Sequence, residues 1–335
     1  MSIYSTGFFR SQNLKQKIVE LDVSWQVILN PHAGCGKGRR DKAKIVSILN
    51  HSGLRYCLHE SEYAGNAFGL AKDLAINGAT HFIVAGGDGT LNEIVNGVFN
   101  GKNSQCDQII IGMLPVGTGN DWIRTFGIPD HYQMAMDIIL KGKTVVQDVG
   151  LVEYMEEEKN ISRFFVNIAG FGFDAMVATR ANNLKNNGLS GLRVYIESFL
   201  WSYFNHKACQ TSIVIDSEKL YVNLFSASVG IGKFNGGGMM QVPDANPVNG
   251  YFHITIIRNL GIWGILQNFL KLYNGTFVRD YRVSTHTGKQ VQLTAEKPIS
   301  GEVDGESIGN SSFNLQIIPH QLRVIYGEDK FKMLE

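Results

Sequence analysis

The chain has 335 residues and a formal net charge of +1 at pH 7. Single hydrophobic cores tend to split beyond about 250–300 residues, so this length predicts two domains. The near-zero charge gives no indication of a nucleic-acid partner. The four cysteines are widely spaced without a CxxC pair, so we expect neither a zinc site nor a disulfide framework, and a reducing cytoplasm as the location.

No membrane or export signal stands out in the chain. The N-terminus lacks an apolar run behind a basic start, so no signal peptide is expected. No segment reaches about 18 uninterrupted apolar residues, so no transmembrane helix is expected. The sequence thus predicts a soluble protein, or at most one that binds a membrane at its surface.

The first predicted element is a strand, Trp25–Leu29, which follows a weakly patterned N-terminal extension over residues 1–24. The strand leads into NPHAGCGKG at residues 30–38, and a basic helix is predicted over residues 39–50. The glycine segment lacks the leading glycine and the final Ser or Thr of a P-loop. Lys37 either contacts a phosphate beside a backbone nest or lies in water.

The central pattern follows a strand predicted over residues 54–59 and a helix over residues 65–77. A buried strand at residues 82–85 ends in GGDGT, and a helical pattern of apolar residues begins at Leu91. Strand, glycine turn and helix together aim backbone N–H groups at an anion. Asp88 would repel a bare phosphate, so it indicates a bridging Mg²⁺ or a hydrogen-bonding role. Thr90 and Glu93 have the spacing of a capping box, and an ordinary capped turn is the alternative interpretation.

A third glycine loop, PVGTGNDW at residues 115–122, follows a strand predicted over residues 108–114. The alternation of strands and helices predicts a parallel, doubly wound sheet whose ligands gather at the carboxyl ends of the strands. Three glycine loops at one edge are hard to explain as three independent turns. We therefore expect a nucleotide site there.

From about residue 146 the pattern changes to short strands separated by Gly, Asn and Pro, which predicts an antiparallel β-sandwich. The predicted strands cover residues 148–152, 163–168, 210–215, 219–229, 252–257, 291–295, 299–303, 313–319 and 322–325. Two aromatic helices are predicted at residues 192–205 and 262–272. Such apolar stripes are mostly core, and a lipid-facing surface is the alternative.

Six segments carry a resemblance to a known family. They are NPHAGCGKG at 30–38, GGDGTLNEIVNG at 86–97, LPVGTGNDWIRTFGIP at 114–129, AGFGFDAMV at 169–177, GGGMMQVPDANPVNGYFHI at 236–254 and GEVDGESIG at 301–309. In this order and spacing they resemble the diacylglycerol kinase catalytic family, specifically bacterial lipid kinases that are similar to sphingosine kinases. The resemblance covers nearly the whole chain from residue 25.

The resemblance implies phosphorylation of a lipid hydroxyl that depends on ATP and Mg²⁺. It implies an α/β nucleotide domain like that of phosphofructokinase and NAD kinase over residues 25–147, to which residues 316–335 return, and a β-sandwich lipid domain over residues 148–315. The active site would lie between the two domains. The implied partner is a lipid substrate at a membrane surface; nucleic acid is not expected, and a homodimer is left open.

By position, the resemblance also implies site residues. Asp88 would bind the catalytic Mg²⁺, and Glu306 would accept the proton of the substrate hydroxyl, with Asp304 as the alternative base. Arg124 would support the pocket. The remaining implied nucleotide-binding residues are Asn30, Gly86, Gly87, Gly89, Thr90, Glu93, Gly117, Thr118, Gly119, Asn120 and Asp121.

One position departs from the family pattern. Relatives carry an Asp where this chain has Asn249, so a second, structural Mg²⁺ site is in doubt there. Two rival hypotheses remain: an NAD kinase, which also uses GGDG, and a lipid-binding relative without catalytic activity. The first is weakened by the presence of GTGND and VDGE, and the second by the presence of Asp88, Asp121, Asp304 and Glu306 together.

Overall fold

A computed structural model describes residues 24–101, 108–186, 189 and 192–328. The predicted N-terminal extension therefore lies, apart from Ser24, outside the described residues. The same holds for residues 329–335 of the predicted returning segment. Among the described residues, no helix is both long and apolar enough to cross a bilayer.

The described chain forms strands and helices in the order that the motifs predicted. The strands are β1 Trp25–Leu29, β2 Tyr56–Glu60, β3 His81–Gly86, β4 Ile110–Pro115, β5 Thr144–Glu156, β6 Lys159–Phe165, β7 Ile168–Gly172, β8 Cys209–Ile215, β9 Glu218–Gly230, β10 Phe252–Arg258, β11 Val283–Gly288, β12 Gln290–Ala295, β13 Ile299–Val303, β14 Glu306–Ser311 and β15 Phe313–Ile325. The helices are α1 Ala33–His51, α2 Asn66–Ile76, α3 Asp88–Gly101, α4 Asp121–Thr125, α5 Tyr132–Lys141, α6 Phe173–Asn186, α7 Leu192–Asn205 and α8 Ile262–Leu272, with a 3₁₀ turn at Thr276–Arg279.

The N-terminal strands form a parallel sheet in the order β2-β1-β3-β4. β2 lies on one side of β1, whereas β3 and β4 are added on its other side. The strand order therefore reverses between β1 and β3, and a crevice opens at the carboxyl ends of these two strands. Apolar residues of these strands pack with α1, α2, α3 and α5 in one core. This geometry places the loops after β1 and β3 side by side.

The remaining strands are antiparallel and continue the same sheet through β15-β12-β8-β9-β7-β13-β14. Their inward residues form a second core. β15 connects the two halves, since Arg323 and Val324 pair in parallel with β4, while residues 313–318 and 322–325 of the same strand pair with β5. The predicted fold class, an α/β domain followed by an antiparallel sandwich domain, is confirmed. The domain boundary at residue 147 stays a prediction, because β5 runs past it without a break.

Several boundaries differ from the sequence prediction for physical reasons. The predicted strand at residues 163–168 is two strands, because the N–H groups of Val166 and Asn167 donate to Asp304 instead of a neighbouring strand. The two strands predicted near the C-terminus are one, with an irregularity between Ile318 and Leu322. Helices α4, α5 and α6 and strands β11 and β14 were not predicted.

Candidate phosphoryl-transfer site

The three glycine loops meet at the carboxyl edge of the parallel sheet. The Asn30 side chain donates to Thr90 Oγ1 at 2.9 Å, which joins the loop after β1 to the start of α3. The backbone N–H of Val116 donates to Gly86 O at 2.8 Å, which joins the loops after β3 and β4. A Cβ on Gly34 would lie 2.3 Å from Val116 O, so only glycine permits the first and third loops to touch.

A second close approach forms the floor of this crevice. A Cβ on Gly87 would lie 2.9 Å from the Gly117 Cα, so backbone faces backbone there. Asn120, buried beside this contact, donates to Gly117 O at 2.9 Å and to Asp130 Oδ1 at 3.1 Å. Its Oδ1 has no hydrogen-bond partner among the described residues. A buried acceptor without a donor fits a ligand that brings an N–H or O–H group.

The capping box predicted at Thr90 and Glu93 is wrong. Helix α3 begins at Asp88, so Thr90 lies inside its first turn and accepts from Asn30. The Glu93 carboxylate accepts from the backbone N–H groups of Gly65 and Ala67, both at 3.1 Å, and so caps α2 instead. We therefore leave Glu93 out of the candidate nucleotide pocket.

Asp88 lies at the junction of the second and third loops. Its two carboxylate oxygens accept from the backbone N–H groups of Asp121 at 3.1 Å and Trp122 at 3.0 Å, at the start of α4. Burial raises the pKa of Asp88, although these hydrogen bonds and Arg124 oppose the shift. The side chain is thus part of a packed junction and not of an open turn.

Asp121 connects this junction to the C-terminal domain. Its carboxylate accepts from the N–H groups of Gly237 at 2.8 Å and Gly238 at 2.6 Å, and Arg124 Nε lies 3.4 Å away. Burial, and then the charge of Asp88, raise the pKa of Asp121 to about 6. The carboxylate of Asp88 is close enough to raise the pKa of Asp121, and two carboxylates this close form a donor set that suits a divalent cation.

The third loop completes the edge of the crevice. A Cβ on Gly119 would lie 3.2 Å from an Asp121 carboxylate oxygen and 3.5 Å from one of Asp88, so this glycine lies against both carboxylates. Thr118 is exposed beside it. Lys37, by contrast, lies over the ring of Tyr132 with its Nζ 4.9 Å from the ring centre. From sequence, Lys37 was expected either to contact a phosphate or to lie in water, and this cation–π contact differs from both expectations.

Asp304 is buried under the interface between the domains. Its oxygens accept from Asn92 Nδ2 at 2.8 Å and from the N–H groups of Val166, Asn167 and Ile168 at 3.0, 2.9 and 3.2 Å. Burial raises its pKa to about 6 against the effect of these donors. Four hydrogen bonds from the protein occupy this carboxylate, which favours Glu306 over Asp304 as the base, and the role of Asp304 stays a prediction.

Glu306 lies two residues beyond Asp304, at the start of β14, and is exposed. Its Oε1 is 2.8 Å from the position that a Cβ on Gly89 would occupy. A carboxylate of the C-terminal domain therefore reaches the first turn of α3 in the N-terminal domain. Of the two acidic residues in VDGE, this is the one in the crevice.

Sequence reasoning missed the residues that hold this interface. Asn92 Oδ1 accepts two hydrogen bonds from Arg163, at 2.7 and 3.0 Å, while its Nδ2 reaches Asp304. Asn96 exchanges hydrogen bonds with the backbone of Phe164. The signal was present in the sequence, since asparagines recur every four residues on an otherwise apolar helix and so share one face.

An acidic pair behind the crevice was also missed. Burial raises the pKa of Glu302 to about 8, and its carboxylate accepts from Gly305 N at 2.7 Å and Asn235 Nδ2 at 3.0 Å. Asp174 is half-buried nearby, desolvation raises its pKa, and Ser228 donates to it at 3.3 Å. Neither carboxylate follows a pattern that sequence alone distinguishes from a surface charge.

The doubtful second metal site has little support in the geometry. Asn249 Oδ1 accepts from Tyr251 N at 3.1 Å, and its Nδ2 lies 3.0 Å from His253 Nε2. Within the described part of the chain, no group of three or more His, Cys, Asp or Glu side chains is placed to hold a metal ion. The structural Mg²⁺ at Asn249 stays a prediction.

Two family models match the chain. Residues 24–152 match the diacylglycerol kinase catalytic domain, and residues 167–326 match the YegS C-terminal NAD kinase beta sandwich-like domain. A putative lipid kinase, YtlR, of Bacillus subtilis is 29% identical, over 90% of this chain and 98% of that protein. A diacylglycerol kinase of Mycobacterium tuberculosis is 26% identical, over 89% of this chain and 93% of its own length.

Solved structures with low identity share the fold. A putative diacylglycerol kinase from Bacillus anthracis has a TM-score of 0.72 at 21% identity, covering 92% of this chain and 99% of that one. Yeast NADH kinase in complex with NADH has a TM-score of 0.50 at 11% identity, covering 93% of this chain and 85% of that one. At these identities, the likeness concerns the fold alone.

Proposed function

Because the chain belongs to the diacylglycerol kinase catalytic-domain family, we propose that it is a lipid kinase that uses ATP and Mg²⁺. The observation that carries this proposal is the position of Glu306. Its carboxylate comes from the C-terminal domain and lies at Gly89, at the N-terminus of α3. A proton acceptor is thereby placed beside an anion site, which is what phosphoryl transfer to a hydroxyl requires.

The nucleotide would lie on the three glycine loops. The N-terminus of α3 directs N–H groups and the positive end of its dipole toward the crevice, which favours the phosphates. The proposed contacts are made by Asn30, Gly86, Gly87, Gly89, Thr90, Gly117, Thr118, Gly119 and Asn120. The unpartnered Asn120 Oδ1 fits a donor group of the nucleotide.

Asp88 and Asp121 are the residues that would hold Mg²⁺. Their carboxylates face the same glycine, Gly119. Burial is the main cause of the raised pKa of each, and the charge of Asp88 adds to the shift of Asp121. Bound there, Mg²⁺ would neutralise charge on the phosphates. Arg124, 3.4 Å from Asp121, adds a fixed positive charge at the same edge.

Glu306 would act as the general base. The acceptor oxygen forms a bond to the γ-phosphorus while the bond from that phosphorus to the β–γ bridging oxygen breaks, and ADP leaves with the bonding electrons. The hydroxyl proton passes to the Glu306 carboxylate. Asp304, fixed by four hydrogen bonds, would hold the turn that carries Glu306 in place.

The acceptor would be a diacylglycerol-like or sphingoid-like lipid, met at a membrane surface by a cytoplasmic protein. The names of the relatives support a lipid acceptor, and the presence of VDGE favours it over NAD.

Glu306→Gln tests the assignment, with Glu218→Gln as a matched control at the exposed start of β9. We expect the first variant to lose about 10²–10⁴-fold in kcat with ATP binding and melting temperature unchanged, since general-base catalysis contributes this much. The control should keep full activity. Wild-type kcat in Glu306→Gln would contradict the role of base.

A further inference from the structure

Helix α7 buries two serines and exposes several large apolar side chains. Its buried side chains include Ser198 and Ser202, whose hydroxyls have no hydrogen-bond partner within the described residues. The exposed face carries Ile196, Leu200 and Phe204, with 50, 47 and 78% of their surface exposed. These three residues recur at four-residue spacing and so form one stripe. A helix whose outer face met water would show the opposite arrangement.

Helix α8 repeats this arrangement. Gly264 and Asn268 face inward, and Asn268 is buried. Trp263 and Leu270 are 75 and 76% exposed, on the same side of the helix. The helix contains no acidic residue. Two separate helices thus turn large apolar side chains outward.

The outer faces of the two helices belong to one region of the molecule. Phe199 and Tyr203 of α7 and Ile265 of α8 pack on the same small cluster around Phe173 and Phe225. We call the outward residues the aromatic surface: Ile196, Leu200, Trp201, Phe204, Trp263, Phe269, Leu270 and Tyr273. Monomeric proteins rarely expose apolar patches of this kind unless something binds them.

The charges around the aromatic surface indicate what covers it. Arg193, Arg258, Lys271 and Arg279 are exposed at or near the ends of the two helices. The acidic residue of α7, Glu197, is paired with Arg180. An apolar face with tryptophan and tyrosine and a cationic rim suits the interface of an anionic bilayer. A symmetric dimer through this surface would gather the basic residues of both copies around one interface, where like charges repel.

We propose that the aromatic surface docks on the interface of an anionic lipid bilayer. Helix α6, which packs on α7, contacts the turn that carries Glu306: Asn182 donates to Gly305 O at 2.8 Å, and Thr179 to Ser307 Oγ at 3.0 Å. Docking would therefore bring the crevice close to the lipid. Only this delivery of the acceptor rests on the proposed function; the docking itself does not.

The chain's tryptophans offer a direct test. Of the four, Trp25 and Trp122 are buried, whereas Trp201 and Trp263 belong to the aromatic surface. In the absence of ATP, phosphatidylglycerol vesicles should shift the tryptophan fluorescence emission of the protein to shorter wavelength, and brominated acyl chains in those vesicles should quench this emission. Phosphatidylcholine vesicles should bind less. Wild-type protein whose emission is unchanged by both vesicle types would overturn the proposal.

A variant pair locates the surface. The double variant Phe204→Ser, Leu270→Ser should bind vesicles about tenfold or more weakly, because two exposed apolar side chains are no longer available to insert into the bilayer. The matched control, Tyr63→Ser with Ile76→Ser, removes side chains that are 64 and 60% exposed in the other domain and should bind as wild type. Equal binding by both variants, or a wild-type dimer that the first variant dissociates without vesicles, would overturn the proposal.

The two proposals fail in different ways. Vesicle binding without phosphorylation of any lipid would retain the docking surface and contradict the kinase assignment. Phosphorylation of micellar lipid by a protein that binds no vesicle would support the kinase assignment and contradict the docking surface.

Discussion

The hydrogen bond from Asn92 to Asp304 connects helix α3, which begins at the second glycine loop, to the turn that carries Glu306. We predict that Asn92→Ala lowers the free energy of unfolding by about 2–4 kcal/mol at pH 8. A hydrogen bond to a charged acceptor contributes about 1.5–3 kcal/mol, and the loss of the contact with the half-exposed Arg163 adds about 0.5–1 kcal/mol. Asn92 Nδ2 also donates to Phe164 O at 3.0 Å, but the loss of this bond adds little, because Asn96 Nδ2 still donates to the same oxygen at 2.9 Å.

The pH dependence distinguishes this bond from simple packing. The pKa of Asp304 is already raised to about 6 from 3.8, and Asn92 is one of the donors that oppose the shift. Removing Asn92 raises the pKa further. When the folded-state pKa of a carboxylate is raised, the protein loses free energy of unfolding as the pH rises through that pKa. The free energy of unfolding should therefore fall more for the variant than for wild type between pH 5 and pH 8.

Urea denaturation followed by tryptophan fluorescence at pH 5 and pH 8 measures both effects. Asn100→Ala is the control, since Asn100 lies on the same helix, is exposed, and donates to Asn96 O at 2.8 Å. The control should lose less than about 1 kcal/mol at either pH. An equal loss for Asn92→Ala at both pH values, or a loss no larger than the control's, would refute the reasoning.

Two further predictions concern carboxylates. Asp88→Asn should lower the rate of phosphoryl transfer by about 10³-fold, as expected when charge at a transferring phosphate is no longer stabilised; unaltered turnover would count against the role of Asp88. Asp88→Ala should in addition lower the free energy of unfolding by about 2–4 kcal/mol in thermal or urea unfolding, because the N–H groups of Asp121 and Trp122 lose their acceptor. Glu302→Gln should raise the melting temperature relative to wild type, and by more at pH 9 than at pH 6. The wild-type carboxyl has a pKa raised from 4.5 to about 8, so the wild-type protein loses stability as the pH rises through this range. A difference in melting temperature that does not depend on pH would contradict the raised pKa of Glu302.

The sequence predicted most of the fold because its signals are local. Strands β1, β3 and β4 are apolar runs that end in glycine loops, and the aromatic and apolar content of α7 and α8 indicated where these helices lie. Glycine turns after successive parallel strands must share one edge of the sheet, so the meeting of the three loops could also be predicted. These features need no knowledge of distant contacts.

The errors arose where a distant segment competes for a side chain. Thr90 and Glu93 have the spacing of a capping box, but Asn30 donates to Thr90, and α2 takes the Glu93 carboxylate. Asp304 looks like a candidate base from its motif, yet its acceptor sites are filled by residues more than a hundred positions away. Local spacing carries no information about such partners.

The orientation of α7 was undecidable for a related reason. Its sequence contains apolar residues on every side, so periodicity could not tell core from surface. Only the packing of Phe199 and Tyr203 on the C-terminal domain turns Ile196 and Phe204 outward.

The central claim is that this chain phosphorylates a lipid hydroxyl, and the transfer of labelled γ-phosphate from ATP tests it most directly. The acceptors would be diacylglycerol, sphingosine, ceramide and phosphatidylglycerol in mixed micelles with Mg²⁺, with NAD as a non-lipid acceptor and Glu306→Gln as the inactive control. We predict one labelled lipid with the wild type and little with Glu306→Gln. Label on NAD alone, or no labelled lipid while ATP still binds, would contradict the claim.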